Sequence, residues 1–353
     1  MFDISVIIPV FNAEKYIERC INCLKKQTKQ NFEVIFINDG SSDNTENVLK
    51  KYLEENMRYY TYKNQGVSVS RNIGIEKSKS KFITFMDVDD EYEDDFIEKM
   101  YEAVNIDKSD VAICNYYEQY SNKRISKRIN TKCDIVDEAN IKSKLIPLFI
   151  GPKDSNEEAT MAAVWRTMIS RKLLIDNNIR FITNMKYSED VFFIINVLAL
   201  SKKVSIIHDC LYRYYKNDGS ALNKYVEEYI NINLDIHNQY RNIIKKYDLD
   251  YYVHDRYEKN KFKMYTVLLS NAVRQRGKKD RMNEIKKIID LFYSQTNDFE
   301  KIVNNLTWYE RVTLYLIKFK FIHILYLCYF FKEKRRMKKL NQKSEVNNLI
   351  ILD

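Results

Sequence analysis

From Ile4 to about Asn115, short apolar runs alternate with amphipathic stretches of helical length. That alternation restricts this part of the chain to a mainly parallel sheet flanked by helices. The expected strands are Ile4–Ile8, Glu33–Asn38, Arg58–Tyr62, Phe82–Met86 and Val111–Asn115, and the expected helices are Glu14–Gln27, Thr45–Asn56, Val67–Lys77 and Asp94–Asn105. In such a sheet the ligand crevice lies outside the carboxyl ends of the strands. The segments that follow the strands read Pro9-Val10-Phe11-Asn12, Asp39-Gly40-Ser41-Ser42-Asp43, Lys63-Asn64-Gln65-Gly66 and Asp87-Val88-Asp89-Asp90. Polar and turn-forming residues therefore gather on one rim.

Around Asn115–Cys133 the pattern turns mixed and polar, as in a hairpin or excursion. A helix near Glu138–Ile150 follows, then a strand at Ala163–Ile169, a helix from about Ser188, and short strands near Val204–Ile207 and Leu211–Tyr215. Beyond about Asn223 the chain has almost no Gly or Pro and keeps helical periodicity, which predicts an all-helical C-terminal region. The expected division is an α/β domain over residues 1–220 and a helical region over 221–353.

The net charge of +9 is unevenly spread, with the excess late, in RQRGKKDR (274–281) and KEKRRMKK (332–339). That is a basic tail, not a basic active-site groove, and no nucleic-acid partner is expected. Residues Val312 to Phe331 are largely apolar and aromatic but are interrupted by Lys318, Lys320 and His323. A spanning helix wants about 20 residues with few or no charges. The stretch of about 308–340 instead reads as an amphipathic, basic helix lying on an anionic membrane surface. A core helix or a homodimer interface is the alternative.

The start, MFDISVIIPVF, has an acidic residue where a signal peptide would be basic, and its apolar run is short, so it reads as a buried strand. The six scattered cysteines read as reduced thiols of a cytoplasmic protein, peripheral on the inner face of the membrane. Cys20 and Cys23 form a C-x-x-C, but within an amphipathic helix pattern and without the second pair a zinc site needs.

The chemistry concentrates at FITFMDVDD (82–90). An apolar strand ending in carboxylates at Asp87 and Asp89 can aim hard oxygen ligands at one Mn2+ or Mg2+, with a diphosphate supplying further oxygens. An acidic turn capping the helix that starts near Asp94 has the same composition. Asp39, fed out by the strand EVIFIN, can accept a base N–H, which suits uracil, or can serve as a turn residue.

Four segments in order, ISVIIPVFNAEKYIERCINCLKKQT, FEVIFINDGSSDNT, NQGVSVSRNIGI and FITFMDVDDEYEDDF, resemble the family 2 inverting glycosyltransferases with the GT-A fold, of the bacterial surface-polysaccharide type. The resemblance covers roughly residues 1–120. It implies that Pro9, Val10, Phe11 and Asn12 line the nucleoside pocket, that Asp39 binds the base, and that Asn64, Gly66 and Arg71 lie near ribose and phosphate. It further implies that Asp87 and Val88 contact the donor, and that Asp89, with Asp87, holds the metal.

Further on, MKYSEDVFF (185–193) resembles the family's E-D motif at a helix start, after a tryptophan-containing segment, Ala163-Val164-Trp165-Arg166. An inverting transfer needs a carboxylate to deprotonate the acceptor hydroxyl. Asp190 is the expected base, with Glu189 as the neighbour that orients it or binds sugar hydroxyls. Acidic residues also favour any helix N-terminus. Trp165 stacks on a sugar or fills the core. The run LYRYYKNDGSALN resembles a segment that closes over the diphosphate, making Arg213 and Lys216 candidate phosphate contacts, but it carries Asn217-Asp218-Gly219 where the family often has a histidine or arginine. His208 lies earlier, so a third metal ligand is not identified.

The first turn lacks the Gly-rich fingerprint of dinucleotide oxidoreductases, and no Gly-rich loop with a basic residue marks a nucleotidyltransferase. A processive synthase should show several membrane spans and a Q-x-x-R-W segment, and the sequence shows neither. The expected function is a metal-dependent, inverting transfer of one hexose or N-acetylhexosamine from a UDP-sugar to a lipid-linked or surface-polysaccharide acceptor such as capsule or teichoic acid. A catalytically silent GT-A scaffold of a polysaccharide assembly complex is the alternative.

Overall fold

The structure, a computed structural model, describes residues 2–154, 157–216, 225–295 and 306–350, with side chains to residue 338. The chain forms two compact units. The first comprises residues 1–149, 160–216 and 245–252, and the second residues 150–159, 217–244 and 253–353. Each unit thus takes a short segment from within the other's span. The expected boundary at residue 220 falls outside the described residues.

The first unit is built on strands β1 (Ile4–Val10), β2 (Phe32–Asn38), β3 (Met57–Thr61) and β4 (Phe82–Phe85), which pair in parallel in the order β3-β2-β1-β4. Every residue of β2 is buried, as a parallel strand covered on both faces requires. The intervening helices are α1 (Ile17–Lys25), α2 (Thr45–Tyr52) and α3 (Val67–Lys77), the last spanning the residues the sequence predicts. Helix α1 buries Ile17, Cys20, Ile21 and Leu24, an i, i+3, i+4, i+7 stripe. Cys23 is buried there too, donating through Sγ to the Tyr92 carbonyl, and burial pushes its thiol up to about 12. Helix α3 lies close on β1, because a Cβ at Gly74 would sit 2.3 Å from Ile7 Cγ2.

The sheet continues through β5 (Glu91–Tyr92), helix α4 (Phe96–Ile106), β6 (Val111–Gln119) and β7 (Arg124–Lys127), which hairpins onto β6 where the sequence turns polar. After β8 (Ile135–Asp137), a short α5 (Glu138–Asn140) runs through a π turn into α6 (Ile146–Ile150). The segment expected as a strand over 163–169 divides into a 3-10 turn, Val164–Arg166, and a strand β9 (Thr167–Ser170). Strand β9 inserts antiparallel between β4 and β6. Helices α7 (Arg171–Asp176) and α8 (Glu189–Leu200) lead to β10 (Lys203–Tyr215), parallel to β6. The two short strands expected there are one strand, interrupted by register shifts on either side of Cys210.

The C-terminal part is helical, as expected: α9 (Tyr229–Tyr247), α10 (Asp250–Ala272), α11 (Lys278–Gln295), α12 (Trp308–Lys318) and α13 (Ile322–Ile350). The second unit's core joins Phe262, Leu268, Ile285, Phe292, Leu314 and Leu325 with their neighbours. Helix α12 opens with a capping box between Thr307 and Glu310. Among the described residues no helix is long and apolar enough to cross a membrane.

Candidate active site

Strand β4 delivers the acidic turn. The Met86 amide donates to the Ile7 carbonyl, extending the β1 pairing by one residue, and the Asp90 amide closes the turn onto the Asp87 carbonyl. Asp90 is buried and serves the turn itself. Its Oδ2 accepts from the Tyr212 hydroxyl at 2.8 Å and its Oδ1 from the Tyr215 amide at 2.8 Å. Burial, with Asp87 and Asp89 nearby, pushes its carboxyl well above the usual range. The Tyr212 oxygen also accepts from the Asp87 amide at 3.3 Å, so a β10 side chain fixes both ends of the turn.

With Asp90 so occupied, Asp87 and Asp89 are the carboxylates left at the rim. Asp87 Oδ1 meets Arg71 Nη2 at 3.0 Å, and Arg71 Nη1 meets Asp190 Oδ1 at 2.7 Å and Glu189 Oε1 at 3.3 Å. Arg71 comes from α3, is 3% exposed, and lies 5.4 Å from the Phe181 ring centre. Its burial works against the charge, but Asp190, Asp87 and Glu189 outweigh that and hold the guanidinium above its usual pKa. Its Nε is buried with no hydrogen-bond partner among the described residues.

Glu189 and Asp190 occupy the first turn of α8, preceded by Ser188 with φ of +66°, a left-handed conformation uncommon for a non-glycine residue. Asp190 Oδ2 accepts from the Val164 amide at 3.3 Å. Burial raises the Asp190 carboxyl, Arg71 opposes this, and Glu189 and Asp87 reinforce it, leaving the group at about 7. A general base poised near neutrality is what proton abstraction from a hydroxyl calls for.

One guanidinium faces three carboxylates here, so negative charge is in excess. Burial and the Asp87 charge raise the Asp89 carboxyl, the sign of an anion short of cationic partners. Two hard oxygen donors in excess negative charge fit a divalent cation such as Mn2+ or Mg2+. Among the described residues no third His, Cys, Asp or Glu completes a protein cage. His208 instead pairs with Asp134 at 3.2 Å.

The other rim segments are laced together by side chains. Asn12, at φ of +48°, donates its amide to Ser41 Oγ at 2.9 Å and accepts the Ser42 amide on Oδ1 at 2.8 Å. Asp39 receives the Gln65 and Gly66 amides on its two oxygens, each at 2.8 Å. Gly40 is required between them, because its φ is +73° and a Cβ would lie 2.8 Å from the Asn64 amide nitrogen. Phe11, Asn12, Asn64 and Gly66 are exposed on this rim, Pro9 and Val88 are part-covered, and Val10 is buried in the core beneath it.

Three expected contacts fall elsewhere. Along β10 successive side chains alternate faces. Tyr212 reaches Asp87 and Asp90, and Arg213 points away to pair with Glu91 at 2.8 Å and Glu93 at 2.5 Å. Lys216 pairs with Glu118 at 3.3 Å and caps the Tyr214 ring. Trp165 is 3% exposed and stacked on Tyr212 with centroids 4.1 Å apart, so it packs behind the turn and offers no open face to a sugar. Asn217-Asp218-Gly219 lies outside the described residues. Sequence reasoning missed Tyr212 and Asp90; the third carboxylate of DVDD and the alternating tyrosines of LYRYY were the available signals.

The profile of the family described as Glycosyl transferase family 2 matches residues 5–173. The chain is 25% identical, over 95% of its length and 97% of the relative's, to the uncharacterized glycosyltransferase EpsJ of Bacillus subtilis. It is 29% identical, over 87% of its length and 90% of the relative's, to the poly(ribitol-phosphate) beta-N-acetylglucosaminyltransferase TarP of Staphylococcus aureus. The crystal structure of residues 1–349 of S. aureus TarS in complex with UDP-GlcNAc superposes with a TM-score of 0.66, covering 95% of this chain and 92% of that one. At 20% identity that likeness is one of fold.

Proposed function

The chain is a glycosyltransferase carrying a family 2 domain over residues 5–173, and on that premise we propose that it moves one hexose or N-acetylhexosamine from a UDP-sugar, with inversion, to a lipid-linked or surface-polysaccharide acceptor. The reaction is assigned to the cytoplasm, at the inner face of the membrane. The observation that carries the reading is the buried Arg71, which joins Asp87 at the end of β4 to Asp190 at the start of α8.

In this reading the acceptor hydroxyl attacks the anomeric carbon, its proton passes to Asp190 Oδ, and the bond to the diphosphate breaks with its electron pair leaving on UDP. A carboxyl at about 7 is ionised often enough at neutral pH to take that proton. Arg71 holds the Asp190 carboxylate in place, and its unpartnered Nε is a buried donor suited to ribose or phosphate oxygen. A divalent cation held by Asp87 and Asp89 would neutralise charge on the departing diphosphate. Asp39, Asn12 and Phe11 form the base end of the donor site, with Asp39 using the lone pairs that Gln65 and Gly66 leave free. The names of TarP and of the TarS complex favour UDP-GlcNAc as the first donor to try.

The test is Asp190→Asn. It should abolish transfer and leave UDP binding within about twofold, because an amide keeps the shape without accepting the proton. If UDP binding is lost as well, Asp190 is not the base. Release of UDP from a panel of UDP-sugars, with and without Mn2+, names the donor and the metal requirement.

A further inference from the structure

The apolar stretch over residues 312–331 is not one helix. It breaks at Lys320, whose φ is +54°, so α12 and α13 are separate. One face of each is buried: Thr313, Leu314 and Ile317 of α12, and Leu325, Tyr326 and Tyr329 of α13. A helix ending its packing there should turn polar residues outward. Helix α12 instead exposes Trp308, Val312 and Tyr315, continued by Phe319, at i, i+4, i+7 and i+11, with Trp308 76% and Phe319 60% exposed. Phe321, followed by Ile324, Leu327 and Phe331 of α13, is exposed as well. At about 3.6 residues per turn, Lys334, Arg335 and Lys338 continue the sector of Ile324, Leu327 and Phe331. Beside α13, a groove of about 910 Å³ sets Val273, Phe330 and Met337 against Arg276, Arg281 and Lys334.

We propose that this pair of helices is a membrane-interface surface, seating its outward aromatic face among the head groups of an anionic bilayer and setting Lys334, Arg335 and Lys338 against lipid phosphates. The proposal rests on the reading above in giving the surface a lipid-linked acceptor to meet. An exposed apolar face this extended needs a cover. A second copy of the chain is the poorer one, because a two-fold interface pairs this face with itself, and the face has no Asp or Glu to meet Lys334, Arg335 and Lys338. An anionic surface matches both the exposed tryptophan and the basic end. Since no described helix can cross the bilayer, the contact is interfacial.

The experiment is flotation of the full chain with vesicles of phosphatidylcholine alone or mixed with phosphatidylglycerol. Wild type should float with the mixed vesicles and be released by high salt. K334E/R335E/K338E should weaken that binding by about a hundredfold or more, at the usual contribution per basic residue. W308S/F319S/F321S, altering exposed positions only, should stay soluble with an unchanged unfolding transition. Asp190→Asn should float like wild type, so loss of transfer and loss of membrane binding are read separately. The proposal is overturned if wild type does not float, if it floats equally with neutral vesicles, if either triple variant floats unchanged, or if wild type self-associates through this face and ignores vesicles.

Discussion

Arg71 Nη1 lies 2.7 Å from Asp190 Oδ1, two residues 119 positions apart in the chain. The same guanidinium holds Asp87 at 3.0 Å, so a single buried cation couples the end of a strand to the start of a helix. Arg71→Met should therefore act twice. Leaving these carboxylates without their buried partner costs roughly 3 kcal/mol, the lower end for a broken buried pair because the carboxylates are part-exposed. Urea denaturation measures it. Transfer by the folded fraction should also shift its acidic limb to higher pH, since Arg71 is what holds Asp190 down, and Arg71→Lys should restore part of both.

The pH dependence of wild type follows from Asp190 standing at about 7 instead of 3.8. The base must be ionised, so kcat should rise with pH through about 7 and fall about tenfold per unit well below it. Stability should move the other way. Between the two values the folded state keeps a proton that the unfolded chain has released, so stability falls as pH rises across that window. Asp190→Asn, which has no transfer to profile, should flatten the stability trend. A profile with no break near 7 would assign proton transfer elsewhere.

Asp89→Asn separates function from stability. Asp89 sits above its usual pKa through burial and the Asp87 charge, so its ionised form weakens the metal-free fold at neutral pH. The amide should unfold at slightly higher temperature without metal, lose Mn2+ binding in calorimetry with UDP present, and slow transfer by about a hundredfold or more.

Tyr212→Phe removes one hydroxyl that serves both the Asp87 amide and Asp90 Oδ2. With Asp90 buried, the loss should cost about 1–3 kcal/mol, as for a buried polar group left unsatisfied. Transfer should drop with little change in acceptor KM, because Tyr212 positions the turn without facing solvent. An unchanged melting curve would contradict that role.

Gly40→Ala meets both a positive φ and the Asn64 amide at 2.8 Å. The strain should cost about 1–3 kcal/mol and weaken UDP binding by displacing the loop that Asp39 ties down. Calorimetry of UDP binding beside a denaturation curve checks both.

Local pattern made much of this legible. The buried runs at β1 and β2 and the α3 limits follow from apolar periodicity, and strand ends placed Asp39, Asp87 and Asp89 at one rim. The sequence also paired Glu189 with Asp190 at the start of α8. What periodicity does not carry is register between distant segments. Strand β9 is four residues long and its antiparallel insertion depends on β4 and β6 together. Arg213 is a candidate phosphate contact only by the resemblance of its segment, and strand parity sends it to Glu91 and Glu93. The bond from Arg71 to the α8 carboxylates is a tertiary fact, and an arginine inside a helical pattern gives no hint of its partner.

Asn12 and Asp39 stitch three rim loops together through hydrogen bonds made within the chain. The conformational entropy of those loops is thus surrendered when the chain folds, and the nucleoside meets a rigid mould. Base recognition should proceed by docking, with little backbone rearrangement to slow association.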